Sequence, residues 1–176
     1  MRALGPGSVS SFLKIILDVV YAALWVGVAA VVVLAFLALL MGFNPEFLRS
    51  LKLNGDYGAI DDPVPVVAGG LAAGALYLSG ILAIVWSLRR IFATLTAGDP
   101  FHPDNVPRLR FIGLILAGLE LGRYAVWGVS QWLLADVIRN EPNFSLTAWF
   151  SVLVVFVLAE VFREGARLRR EAELTI

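Results

Sequence analysis

Hydrophobic and polar positions alternate along this chain on a long scale. Four apolar runs, over residues 12–41, 65–88, 109–135 and 146–162, are separated by short stretches rich in Gly, Pro, Asn and Asp. A hydrocarbon core about 30 Å thick is crossed by roughly 20 helical residues. Within it the backbone finds no water, so a helix is the way an apolar run satisfies its own N–H and C=O groups. The pattern predicts an all-α polytopic membrane protein, a four-transmembrane-helix bundle forming a single membrane domain over residues 1–176.

The first run follows a tail containing Gly5, Pro6 and Gly7, and Ser10 or Ser11 can cap it. It is too long for the apolar core of a secretory signal and reads as a first spanning helix. Near its start Lys14 and Asp18 lie four apart, and Tyr21 and Trp25 continue the face of Asp18. Two readings of Asp18 stay open: a snorkelling pair with Lys14 among interfacial aromatics, or a partner for an arginine of another helix or protein. The loop that follows carries Asn44-Pro45, Asn54-Gly55 and Asp61-Asp62-Pro63, with a short surface helix expected over 46–53. The second run has a small-residue side, Gly69, Gly70, Ala73, Gly74 and Gly80, which lets helices approach closely in lipid. Packing within the chain is its first reading; a homo-oligomer is permitted but not required. Gly98-Asp99-Pro100 stops that helix, and Asp104 or Asn105 can cap the next, with Pro107 tolerated in its first turn.

The third run departs from the pattern. Glu120, Arg123, Tyr124, Trp127 and Gln131 recur at helical spacing and share one face. Charges there are costly against lipid, so this face should turn toward other helices or a wet cavity, with the other apolar segments packed around it. At i, i+3 the Glu120–Arg123 pair can neutralise itself and fix the helix's rotation. The sharper alternative is a buried polar site, with Arg123 for an anion or Glu120 for a proton, in a small transporter or channel component. The second and fourth spans offer only Tyr77, Ser79, Ser151 and the shallow Glu160, which weighs against a conductive pathway.

Composition supports the membrane reading: of 176 residues 59% are hydrophobic and 16% charged, where soluble domains carry about a quarter charged. The absence of cysteine excludes disulfides, thiol nucleophiles and thiolate metal sites. His102, the one histidine, stands beside Asp99 and Asp104 and reads as a solvated turn residue rather than a metal ligand. A Glu–Arg pair without nucleophile, paired base or metal set satisfies no catalytic constellation. No catalytic residue, metal or cofactor is expected, and the protein reads as non-enzymatic.

Net charge is zero, but its distribution is uneven. One side of the predicted bundle holds Arg2, Lys14, Arg89, Arg90, Arg108, Arg110, Arg163, Arg167, Arg169 and Arg170; the other holds Arg49, Lys52 and Arg139. The positive-inside rule then places both termini and the Gly98 loop in the cytoplasm. The arginines of 163–170 can anchor the last helix to anionic headgroups, so membrane lipids are expected partners. Glu164, Glu171 and Glu173 interleave with them, and such a mixed-charge helix can also dock a protein. Direct nucleic-acid binding is not expected from so short a segment beside the membrane.

Thr96-Ala97-Gly98-Asp99-Pro100-Phe101, then Asn105 and Arg108-Leu109-Arg110-Phe111-Ile112-Gly113, is a distinctive stretch. With four spans at this length, the whole chain resembles a bacterial domain-of-unknown-function family of small four-helix membrane proteins. In that family a Gly-Asp/Asn-Pro-Phe turn precedes the start of the third helix. The resemblance implies a multi-pass protein of the bacterial inner (plasma) membrane. Members are often encoded beside a small Cro/CI-like helix-turn-helix regulator, which implies a membrane partner that sequesters a cytoplasmic transcription factor. On that implication the candidate partner-binding residues are Gly98, Asp99, Phe101, Asn105, Arg108 and Arg110 in the turn, with Arg163, Arg167 and Arg170 in the tail. The plain alternative is that Gly98 and Pro100 make the turn and Asn105 caps the helix.

Overall fold

The computed structural model of the chain describes residues 9–42, 63–133 and 144–174. These form α1 (Val9–Gly42), α2 (Pro63–Thr96), α3 (Asn105–Leu133) and α4 (Leu146–Leu174). All four are long and apolar enough to cross a membrane, so the all-α, multi-pass architecture holds. The surface helix expected over 46–53, and Arg2, Arg49, Lys52 and Arg139, lie outside the described residues.

Two helices overrun their apolar spans. α2 continues past 88 to Thr96, and α4 past 162 to Leu174. The charged part of α4 is therefore helix, supported by pairs one turn apart: Arg163 with Glu160, Arg167 with Glu164 at 2.7 Å, and Arg167 with Glu171 at 3.4 Å. Helix ends follow local chemistry. Gly98 has φ of 85°, its N–H donates to the Leu95 carbonyl, and the Asp99 N–H donates to the Thr94 carbonyl. That is a Schellman motif with glycine in the left-handed position and Pro100 just beyond. At the start of α4 the Ser145 hydroxyl accepts the Ala148 N–H at 3.2 Å, an N-cap.

Packing is sequential: α1 lies on α2, α2 on α3 and α3 on α4. The expectation that every other segment gathers around the third holds for α2 and α4. α1 instead sits on the flank of α2, with no close backbone approach to α3 or α4. The core is built by Ile91 of α2, Leu109 and Ile112 of α3 and Ala159 of α4, flanked by Leu88, Leu95, Leu116, Val155 and Phe162. α1 lacks a seat in it, and Phe12, Ile15, Val19 and Val26 stay exposed, as suits a lipid-facing helix. Of the small-residue side of α2, Gly80 meets α3: a Cβ there would come within 2.6 Å of the Leu119 side chain. At Gly70 and Gly74 an added Cβ would meet nothing within 4 Å.

Antiparallel neighbours bring the start of α1, the end of α2, the start of α3 and the end of α4 together. Arg89 reaches Asp18 across α1 and α2, and Arg110 reaches Glu160 across α3 and α4. Among the described residues, every Asp, Glu, Lys and Arg except Glu120 and Arg123 belongs to this charged end. Asp18 thus pairs with an arginine of another helix rather than with Lys14.

Candidate functional site

Two polar assemblies stand out: one part-way along α3, one at the charged end. In the first, Glu120 is 8% exposed. Its Oε1 accepts from Arg123 Nη2 and from the Tyr124 hydroxyl, each at 2.6 Å, and its Oε2 accepts from Arg123 Nε at 3.2 Å. The two-pronged arginine contact is the geometry that a planar guanidinium offers a carboxylate. Arg123 also lies over the Tyr124 ring, 5.0 Å from its centroid. Tyr124 in turn stacks on Phe144, just before α4, at 6.3 Å. The backbone of Ser145, at the start of α4, lies near the Glu120 carboxylate.

Arg110 to Glu120 is ten residues of helix, about 15 Å, or half of a hydrocarbon core about 30 Å thick. Glu160 to Leu146 is fourteen residues, about 21 Å, so α4 begins short of the far surface. With Arg110 and Glu160 at one surface, the first N–H groups of α4 would fall within the apolar layer, where each needs an acceptor. Ser145 supplies one acceptor by its hydroxyl, and the Glu120 carboxylate of α3 lies beside this end of α4. A carboxylate also suits the positive end of the α4 dipole.

The predicted polar face is thus assembled at Glu120, Arg123 and Tyr124. Trp127 and Gln131 follow along α3 and are half-buried. Arg123 also borders a groove of about 800 Å³ between α2 and α3, whose floor includes Gly74, Gly80, Gly118 and Gly122.

The charged end is organised by Asn105. Its side chain is fully buried. Nδ2 donates to Thr94 Oγ1 at 2.8 Å and to the Pro100 carbonyl at 3.2 Å, while Oδ1 accepts from Arg108 Nη1 at 3.1 Å. Asn105 therefore ties the end of α2 to the start of α3 through its side chain, and a partner would meet its neighbours instead. The Asp104 carbonyl accepts the first backbone bond of α3, from Arg108, at 3.4 Å. His102 Nδ1 accepts from the Asp104 N–H at 3.2 Å, a role internal to the turn.

α4 is latched to this turn. Asp99 pairs with Arg169, and the Phe101 ring meets Phe162 at 5.7 Å between centroids. The ring covers Gly165, where a Cβ would sit 2.5 Å from it. Arg110 pairs with Glu160 at 3.8 Å and Arg108 with Asp104 at 3.4 Å. Arg163, Arg167 and Arg170 lie on the outer surface of α4 beside Glu164, Glu171 and Leu174. Of the nine candidate partner-binding residues, Asp99, Phe101 and Arg110 are brought against α4, Asn105 is buried, and Arg163, Arg167 and Arg170 line a separate stretch of α4 that holds no turn residue. Leu168 and Leu174 are also exposed on this segment of α4, at 55% and 84%.

Residues 56–176 match a family model described as a protein of unknown function, DUF2975. The chain belongs to this family. No curated protein and no solved structure matches the chain. The DUF2975 match is narrower than the whole-chain resemblance expected, and its limits are physically sensible. It includes α2, α3 and α4, which share the core, and leaves out α1, which packs on α2 alone.

Sequence reasoning does not single out three residues of these two assemblies. Thr94 lies one turn before Gly98 and has no signal of its own. Arg169 was read only as part of a cationic tail. Ser145 directly precedes an apolar run, an N-cap signature that was there to be read.

Proposed function

We propose that the protein is a non-enzymatic regulatory membrane protein whose charged end binds a small cytoplasmic helix-turn-helix transcription regulator and holds it at the membrane. The observation that carries this reading is the latch between the Gly98 turn and the end of α4. Asp99–Arg169 and the Phe101–Phe162 contact join two elements far apart in sequence into one surface. Arg163, Arg167 and Arg170, the neighbouring glutamates, Leu168 and Leu174 remain exposed on the other sides of the latched α4 segment. Mixed charge around exposed leucines is the make-up of a protein-docking surface, with charge setting register and apolar contact supplying affinity. The family resemblance and the uneven arginine distribution support the choice of partner and the cytoplasmic placement of this end. A regulator held there would be kept from its DNA.

The hydrogen bonds of Glu120 go to Arg123 and Tyr124 of its own helix, which supports reading that cluster as structural rather than as a transport site. The test is affinity purification from native membranes, with mass spectrometry of what co-purifies. A small DNA-binding protein at near-equal amount is expected, and Arg167→Glu with Arg170→Glu should release it while the helical signal persists. A preparation without such a protein would overturn the reading.

A further inference from the structure

A second polar feature at the charged end belongs neither to the latch nor to the Glu120 cluster. Between α1 and α2 lies a cleft of about 320 Å³ walled by Lys14, Asp18 and Tyr21 from one helix and Trp86, Arg89 and Arg90 from the other. Three cations face one carboxylate, a surplus of two positive charges. Arg89 Nε donates to Asp18 Oδ1 at 2.5 Å, and its guanidinium lies over the Tyr21 ring, 4.3 Å from the centroid. Arg90 lies over Trp86 at 4.9 Å. Both arginines are thus held in place by an aromatic face. Among the described residues neither Lys14 nor Arg90 has an ion pair.

The surroundings restrict what can neutralise this surplus. The charges sit where the apolar run of α1 begins and that of α2 ends, and Trp and Tyr favour that level of a bilayer. On the lipid side, Phe12, Ile15 and Val19 of α1 are exposed. A ligand there needs an anionic head at the interface and acyl chains able to lie along α1. We propose that this cleft binds the phosphodiester headgroup of an anionic phospholipid, with the doubly charged diphosphatidylglycerol class matching the two-charge surplus. The site is distinct from the diffuse attraction of the α4 arginines, because its two arginines are oriented by rings, and Arg89 also by Asp18, rather than splayed on one helix face. It also joins α1, which has no seat in the core, to α2 through a shared ligand.

The test uses the full chain purified in mild detergent, with lipid retention read by native mass spectrometry after exchange against vesicles of defined composition. Diphosphatidylglycerol is expected to be retained in preference to phosphatidylethanolamine. Lys14→Gln and Arg90→Gln should each weaken retention about fivefold, the worth of one interfacial cation, while leaving the Asp18–Arg89 pair intact. Arg167→Gln and Arg170→Gln on α4 should leave it unchanged. Equal retention of the zwitterionic lipid, or loss only in the α4 variants, would overturn the proposal. The unaltered protein gives an independent reading. Millimolar inorganic phosphate should fail to displace the bound lipid; displacement would assign the cleft to a free anion instead.

Discussion

Arg89 Nε donates to Asp18 Oδ1 at 2.5 Å, across 71 residues of chain. This pair is the ionic tie between α1 and the rest of the molecule among the described residues. Its consequence is architectural: α1 has no place in the shared core, so its register on α2 depends on this contact and on apolar packing along the two helices.

The pair is about one-third to two-fifths exposed, at 33% and 42% for the two side chains, so its net worth is small. Asp18→Asn is expected to cost at most about 1 kcal/mol of stability in detergent. A double-mutant cycle with Arg89→Gln should return a coupling of about 0.5 kcal/mol. Strictly additive effects of the two substitutions would mean that the contact does not register α1.

Glu120 is far more buried than Arg123, at 9% against 41% of the side chain. Removing the cation therefore leaves the costlier orphan. Arg123→Met is expected to destabilise the protein, because it strands the buried carboxylate. Adding Glu120→Gln to it should recover part of that loss, because the stranded charge disappears. Denaturant unfolding in detergent gives the sign, and a double variant worse than Arg123→Met alone would refute a structural role.

Asn105 is fully buried, and its amide joins Thr94, Pro100 and Arg108. Asn105→Ala should cost about 1–3 kcal/mol, since Thr94 Oγ1 and the Pro100 carbonyl lose their partner away from water. Thermal unfolding followed by tryptophan fluorescence would measure it. An unchanged midpoint would mean that water replaces the side chain and the turn does not depend on it.

Gly98 and Gly165 serve the latch for different reasons. Gly98 has positive φ and open space around it, so Gly98→Ala should carry a backbone cost alone, about 1 kcal/mol. At Gly165 the backbone is helical and the obstacle is the Phe101 ring. Gly165→Ala must push that ring off α4 and should make the chain beyond Phe162 more sensitive to limited proteolysis. Protection equal to that of the unaltered protein would show the ring free to move aside.

A chain without cysteine makes topology testable by a single added thiol. With Leu174→Cys, a membrane-impermeant thiol reagent is expected to label inverted vesicles and not intact cells. The opposite pattern would reverse the cytoplasmic assignment of the charged end.

The apolar runs by themselves determined the number and type of the described elements, because in lipid a run of that length has helix as its way to satisfy its backbone. The Gly98-Asp99-Pro100 stop was equally legible, since left-handed φ and a following proline are local properties. The helical spacing of Glu120, Arg123 and Tyr124 placed them on one face before any packing was known. What sequence left undecided depends on which helices are neighbours. Asp18 had two possible partners, and only the seating of α1 on α2 selected Arg89. Asn105 read as a cap or a docking residue, and only the approach of Thr94 turned it inward. That α4 begins beside Glu120 was visible only once α3 and α4 were packed together. Patterns along a helix follow from local geometry; the choice of partner follows from long-range packing, which a single chain's hydropathy does not encode.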